Sequence, residues 1–227
     1  MSGPRVLVVD YGMGNRRSAL RALERVGAQS GLCAKAAGLA RADGLLLPGV
    51  GAFPAAVAEL KGRGLFEPLR RLAGEGMPLL GACLGMQLLF ERSSEQGGAE
   101  GLGLLGGSVR MLAAAGRKLP HIGWTAVEWV APPGKPPGWP LAAGLPNPTY
   151  LYHVHSYVVQ PSDRSVVLGE AEYGERFVAA VGSGKVFGTQ SHPEKSSVHG
   201  LQLLRNFVAI CAGREPEGPP PGAAGEG

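Results

Sequence analysis

The chain has 227 residues, of which 37 are glycine and 19 are proline. That is about a quarter of the chain against roughly 12% on average, yet 44% hydrophobic and 18% charged residues leave enough apolar mass for a core and exclude wholesale disorder. The formal net charge is +4 and no long run of like charges occurs, which excludes a basic nucleic-acid arm, while glycines without a three-residue period exclude collagen.

Residues 5–10 (RVLVVD) are a short, β-branched apolar run and predict a buried parallel strand. The glycine turn at residues 11–15 leads into a helix over residues 15–26. There Ala19, Leu20, Leu23 and Val26 recur at helical spacing, and Gly27 stops it. Residues 44–47 predict a second strand ending at Pro48. Residues 57–60 and 66–72 predict short helices, and residues 77–82 (MPLLGA) a third buried strand. Residues 84–92 have a helical pattern, with Met86, Leu89 and Phe90 able to face inward.

The second half is β-like over residues 109–112, 125–130, 149–154, 166–171, 177–181 and 185–189. Gly182-Ser183-Gly184 is a hairpin signal between the last two. A closing helix starts at Ser196, with Leu201, Leu204, Val208 and Cys211 on one face. The proline-rich residues 131–148 predict an exposed loop. Residues 214–227 hold no large apolar side chain and predict a disordered tail after one domain over residues 1–213. Alternating strands and helices followed by hairpins predict an α/β fold with a mostly parallel central sheet extended by antiparallel strands.

Three sparse cysteines (Cys33, Cys83, Cys211) make no disulfide framework and no zinc cluster, which predicts a reducing, cytoplasmic setting. No signal peptide or membrane-spanning stretch is expected. Cys33 lies in a weakly patterned segment and Cys211 on an apolar helix face, so both read as structural.

Cys83 is different. Gly81-Ala82-Cys83-Leu84-Gly85 joins a buried strand to a helix, which is the nucleophile-elbow pattern with cysteine in place of serine. A sharp turn crowds the nucleophile, so its neighbours must be small. The helix N-terminus favours thiolate, and the Leu84 N–H can serve an oxyanion. A thiolate nucleophile needs a proton carrier. His192 follows the predicted strand at 185–189, as Cys83 follows residues 77–82, and carboxyl ends of strands in such sheets share a crevice. Glu194 can orient the imidazole. His199 reads as surface, and His121, His153 and His155 as donors or acceptors of structural hydrogen bonds. Gly49, Val50 and Gly51 also follow a strand and can aim backbone N–H groups inward. No phosphate-loop pattern is present.

Three ordered motifs, PGVGAF (48–53), GACLGMQ (81–87) and HPEKS (192–196), resemble the class I glutamine amidotransferases. More narrowly, DYGMGN (10–15), PHIGW (120–124) and HSY (155–157) resemble the glutaminase subunits of imidazole glycerol phosphate synthase, over residues 5–211. The resemblance implies a three-layer αβα fold and a Cys–His–Glu triad of Cys83, His192 and Glu194. It implies an oxyanion hole from Gly49, Val50, Gly51 and Leu84, and substrate contacts from Gln87 and Glu95. It implies no cofactor and no metal. The implied partner is a TIM-barrel cyclase subunit in a heterodimer, met by Met13, Asn15, His121, Trp124, Tyr152 and Lys195. Ammonia from glutamine would feed that cyclase in histidine biosynthesis.

Three positions depart from the family pattern. Thr125 stands where asparagine is usual, His153 where an aromatic is common, and Ser191 where phenylalanine is common, next to His192. Two alternatives stand beside this reading. One is a glutaminase for another synthase, such as pyridoxal phosphate synthase. The other is a non-catalytic module that kept the fold, against which the complete triad argues.

Overall fold

The computed structural model describes residues 3–131, 134, 136 and 138–216. The strands are β1 (Arg5–Val9), β2 (Gln29–Cys33), β3 (Gly44–Leu47), β4 (Leu79–Ala82), β5 (Phe90–Ser93), β6 (Ala99–Glu100), β7 (Leu105–Met111), β8 (His121–Trp129), β9 (Thr149–His155), β10 (Tyr157–Pro161), β11 (Val167–Tyr173), β12 (Glu175–Ser183) and β13 (Val186–Thr189). The helices are α1 (Arg16–Arg25), α2 (Ala36–Leu39), α3 (Phe53–Gly62), α4 (Phe66–Gly74), α5 (Leu84–Gln87) and α6 (Ser197–Cys211).

Nine strands form the central sheet in the order β2-β1-β3-β4-β13-β12-β11-β8-β9. From β2 to β13 the neighbours run parallel, and from β13 to β9 antiparallel. A second sheet, β10-β7-β5-β6, stands beside it. The expected α/β sheet, parallel strands extended by antiparallel ones, is therefore observed, with the antiparallel part as extensive as the parallel part.

Strand alternation builds two cores from one sheet, because successive side chains point to opposite faces. Leu7, Val9, Leu45 and Leu47 face α3 and α4, where Phe53, Leu60 and Leu69 are buried. Val6, Val8, Leu46 and Leu80 face the other way, onto Leu23 of α1 and Leu203, Leu204 and Phe207 of α6. Helices on both faces make three layers. The crossover connections explain why β1, β3 and β4 are near-continuous apolar runs rather than alternating ones.

Two expectations are corrected. The helix read over residues 84–92 stops at Gln87, and Phe90–Ser93 is a strand. The backbone of residues 101–104 captures the carbonyls that a longer helix would have used. Leu102 N–H donates to Leu88 O at 2.8 Å, Leu104 N–H to Leu89 O at 2.8 Å and Gly101 N–H to Glu91 O at 2.9 Å. Periodicity could not see these partners.

The second correction concerns residues 131–148, read as an exposed loop. Leu141, Ala142 and Ala143 are buried and belong to the core under α6. Asn206 of α6, itself buried, donates its amide to Leu141 O at 2.8 Å and Ala143 O at 2.9 Å. Asn147 anchors the far end by accepting from Trp129 N–H at 2.9 Å. Of the expected tail, residues 217–227 lie outside the described residues. Strands β2, β5, β6 and β10 were not expected. β2 contains Gly31 and polar residues and is only partly buried, so it carries no strong apolar pattern.

Replacing Asn206 by alanine leaves the buried Leu141 carbonyl without its donor and Ala143 O with only the longer bond from Gln202 Nε2 at 3.5 Å. It should lower unfolding free energy by about 1–3 kcal/mol, read as a fall in the urea midpoint.

Candidate active site

The site forms where β4 and β13 end side by side, with Ala82 paired to Thr189. Cys83 follows directly, at φ +54° and ψ −113°. A non-glycine residue with positive φ is strained by about 1–3 kcal/mol and persists only where its surroundings impose it. The surroundings here are tight. A Cβ on Gly81 would lie 2.4 Å from Gly85 O, and one on Gly85 would lie 1.9 Å from Leu47 O. Both positions need hydrogen for the turn to close at all. The Cys83 N–H is held by Thr189 O at 2.8 Å. The helix that follows has only four residues, so its dipole is weaker than the sequence pattern implied.

His192 sits just past β13. Its Nδ1 donates to Glu194 Oε1 at 2.9 Å, and both side chains are about 5% exposed. A carboxylate only accepts, which leaves the imidazole Nε2 for the thiol side. Burial pushes the imidazolium down, but hydrogen bonds and charge from Cys83 and Glu194 outweigh it and raise His192 to about 10. His192 is thus held protonated at neutral pH, as a proton donor to a leaving group must be. Its backbone is fixed as well. His192 N–H donates to Tyr152 O at 2.8 Å, and the Ser196 hydroxyl donates to His192 O at 2.7 Å while accepting from Tyr152 N–H at 2.9 Å.

A cavity of about 260 Å³ opens over Cys83 and His192. Val50, Gly51 and Leu84 lie on one side of it, with Gln87 and Glu95 also on its wall. Strand β9 supplies another wall, where Val154 O lies 3.5 Å from the Cys83 sulfur. A nucleophile, an oriented acid–base group and backbone at a strand end together suit acyl transfer from an amide.

The chain matches the glutamine amidotransferase class-I family over residues 7–211. It is 45% identical to the imidazole glycerol phosphate synthase subunit HisH of Moorella thermoacetica, over 89% of this chain and 93% of that protein. It is 44% identical to the Bacillus cereus HisH subunit, over 90% of this chain and 94% of that one. The chain belongs to the HisH group of class I glutamine amidotransferases. Solved structures agree on the fold. The glutaminase domain of Trypanosoma brucei CTPS superposes with TM-score 0.69 at 17% identity, covering 95% of this chain and 96% of that one. PurLQS from Thermotoga maritima gives 0.67 at 21% identity, covering 93% and 98%.

The remaining residues expected of a HisH protein lie in several different places. Gly49 does not line the cavity but packs behind it: a Cβ there would lie 2.7 Å from Leu84 Cβ and 2.9 Å from the Tyr11 hydroxyl. Glu95 accepts from the Phe53 N–H at 2.8 Å, which anchors its carboxylate to the start of α3. Trp124, 52% exposed, meets Tyr152 edge-on at 6.0 Å, and Lys195 lies 6.0 Å from the Tyr152 ring, so these three form one surface cluster beside the triad. Met13 and Asn15 are half-buried, Met13 beside Gly51 and Asn15 in a small pocket with Gly49, His192 and Glu194. His121 is buried instead, among other rings.

That burial builds a feature that the motifs as linear strings do not show. His155 Nδ1 lies 3.1 Å from Tyr157 O, which only accepts, so Nδ1 carries the proton. His155 Nε2 must then accept from His121 Nδ1 at 3.2 Å, and His121 Nε2 from the Thr125 hydroxyl at 2.8 Å. Thr125, one of the three departures, thus ends a chain of fixed polarity. The reading of these histidines as hydrogen-bonding groups holds. Desolvation lowers His121 to about 4 and His153 to about 3, and pushes His155 well below its ordinary value. His153 gives Nδ1–H to Leu151 O at 3.0 Å, while its buried Nε2 has no partner. Ser191, the third departure, is fully buried with its hydroxyl 2.6 Å from that of Thr189.

Sequence reasoning did not single out Gln190, Tyr11 or Tyr157. Gln190 is buried with its amide against Cys83 and Gln87. The Tyr11 hydroxyl donates to Pro48 O at 2.7 Å and fixes the loop behind Gly49. Each did carry a positional signal: Tyr11 lies in DYGMGN, Tyr157 in HSY, and Gln190 two residues before His192.

His153 binds its proton less readily in the folded chain than in the unfolded one. Its contribution to stability is full above about pH 6.5 and is lost as pH falls toward 3. Phenylalanine has nothing to protonate and removes the unpaired Nε2. His153→Phe should therefore raise the melting temperature more at pH 5 than at pH 8, with His121 and His155 still present in both proteins. An equal shift at both pH values refutes this account.

Proposed function

We propose that Cys83, His192 and Glu194 hydrolyse glutamine and that this chain hands the ammonia to a separate cyclase subunit. The observation that supports it is the oriented pair at the strand ends: a strained, small-flanked Cys83 facing a His192 held by Glu194.

The Cys83 thiolate attacks the side-chain amide carbon of glutamine. An oxyanion forms and is met by backbone N–H groups of Leu84 and the 49–51 loop, with Val50 and Gly51 nearest the cavity. The C–N bond then breaks as His192 Nε2 gives its proton to the leaving nitrogen, which departs as ammonia. The neutral imidazole takes a proton from water, and hydroxide attacks the thioester. The C–S bond breaks, releasing glutamate and restoring the thiolate beside imidazolium. Glu194 keeps Nδ1 protonated throughout, so Nε2 alone exchanges protons. Gln87 and Glu95 hold the amino-acid end, where the Glu95 carboxylate suits the ammonium.

The proposed partner is a TIM-barrel cyclase that uses the ammonia to make imidazole glycerol phosphate, in a cytoplasmic heterodimer. Support comes from the HisH relatives, each named as a subunit of that synthase. Support also comes from the exposed Ile122, Trp124 and Tyr150 on the β8–β9 hairpin, a patch of large side chains beside the triad. We read residues 1–213 as the working domain.

The test is ammonia production from glutamine by the full chain, with and without the cyclase and its nucleotide substrate. Glutaminase activity should rise with the partner present. Cys83→Ala should lower it by about 10⁴-fold or more while leaving partner binding intact, because nucleophile and base act as a unit. Full ammonia transfer by Cys83→Ala would sink the mechanism. Pull-down by a pyridoxal phosphate synthase instead of the cyclase would overturn the partner.

A further inference from the structure

We propose that Gln190 is a further catalytic residue, whose amide N–H donates to the Cys83 sulfur and favours its thiolate form. This rests on Cys83 being the nucleophile.

The polarity of the contact follows from neighbouring atoms. An amide side chain can be turned end for end, so its donor must be assigned from its partners. Tyr157 O is a main-chain carbonyl and can only accept. Gln87 Nε2 lies 3.0 Å from it and is therefore the donor end of that side chain. The same Nε2 lies 3.2 Å from Gln190, so the Gln190 atom there must be its oxygen. The other end of Gln190 is then its NH₂, 3.7 Å from the Cys83 sulfur. His155 Nδ1 also donates to Tyr157 O at 3.1 Å, so that carbonyl is engaged by two donors and stays put. Gln190 itself is fully buried, with its backbone N–H on Ala179 O at 2.8 Å.

The sulfur lies between opposed preferences. Val154 O, 3.5 Å away, can serve only a thiol, since it accepts S–H and repels a thiolate. The Gln190 amide serves a thiolate best, because hydrogen bonds to a charged acceptor are the stronger ones. His192, on the wall of the same cavity, adds its charge beside the sulfur. Removing Gln190's donor would leave Val154 O facing the sulfur without that opposition, and so favour the thiol. The donor also acts without moving a proton, so it leaves His192 free for the leaving group and the water.

The experiment alkylates the full chain with iodoacetamide between pH 6 and pH 9. Adducts at Cys83, Cys33 and Cys211 are followed separately by peptide mass spectrometry. In the natural protein Cys83 should react fastest. Gln190→Met, similar in length and without a donor, should slow Cys83 alkylation about tenfold at neutral pH. Its pH–rate profile should move toward alkaline pH, while the rate on the alkaline plateau stays near that of the natural chain. A packing defect would change the plateau instead. Gln190→Glu keeps the size and still accepts from Gln87, but sets a carboxylate against the sulfur. It should slow the reaction more, and it carries the test if the methionine variant does not fold. If both folded variants react as the natural chain does, or if only the plateau changes, the role of Gln190 is overturned and the nucleophile stands. If Cys83 in the natural chain reacts no faster than Cys33 and Cys211, both assignments fall.

Discussion

The whole site depends on one steric constraint: the chain must reverse at Cys83 within a space that admits no side chain at Gly81 or Gly85. The backbone of Gly85 lies against Leu47 O, at the end of β3, and that of Gly81 against Gly85 itself. This forces positive φ on Cys83 and lifts its sulfur off the sheet into the cavity. The strain is sustained by Thr189 O, which holds the Cys83 N–H from the adjacent strand. Cys83 and the strand that delivers His192 are therefore joined by a hydrogen bond before any chemistry is considered. Two parallel strands ending in register set the distance between the reacting groups.

Strand β9 completes the arrangement from the other side. Its Tyr152 carbonyl fixes the His192 backbone and its Val154 carbonyl faces the sulfur, while its partner β8 carries Ile122 and Trp124 outward. One hairpin thus touches the triad with its backbone and presents large side chains to solvent. Beneath it, the three neutral histidines fill a space with rings that must also satisfy their nitrogens. Two do so through a directed chain from Thr125 to Tyr157, and the third leaves one nitrogen bare. A buried polar atom without a partner is costly, and the Nε2 of His153 is such an atom.

Much of the fold was legible because buried parallel strands are short, apolar and bounded by glycine or proline. β1, β3 and β4 announced themselves in this way, and the amphipathic stripe of α1 did the same. The misreadings share one cause. At Phe90–Ser93, backbone partners from residues 101–104 overrode a helical pattern. At residues 138–143, Asn206 from a distant helix drew a proline-rich segment into the core. Both outcomes were settled by partners beyond the reach of local periodicity, ten or more residues away in the first case and more than sixty in the second.

By itself, the sequence determined the family and pointed to the chemistry proposed for it. The small residues around Cys83, the histidine and glutamate after the last parallel strand, and the order of the motifs all depend on residue type and spacing, which a linear chain displays in full. Tertiary structure decided which groups act on the sulfur from the side. Gln190 and Val154 O meet Cys83 across separations of up to 107 residues, and the histidine chain ends on the Tyr157 carbonyl that also holds Gln87. Their roles depend on which way a donor faces, and that direction exists only once β4, β9 and β13 have come together. The glycine excess with which the sequence opens divides along the same line. Its amount was visible in the composition, but the need for bare backbone at Gly81 and Gly85 arises only from what lies against them in space.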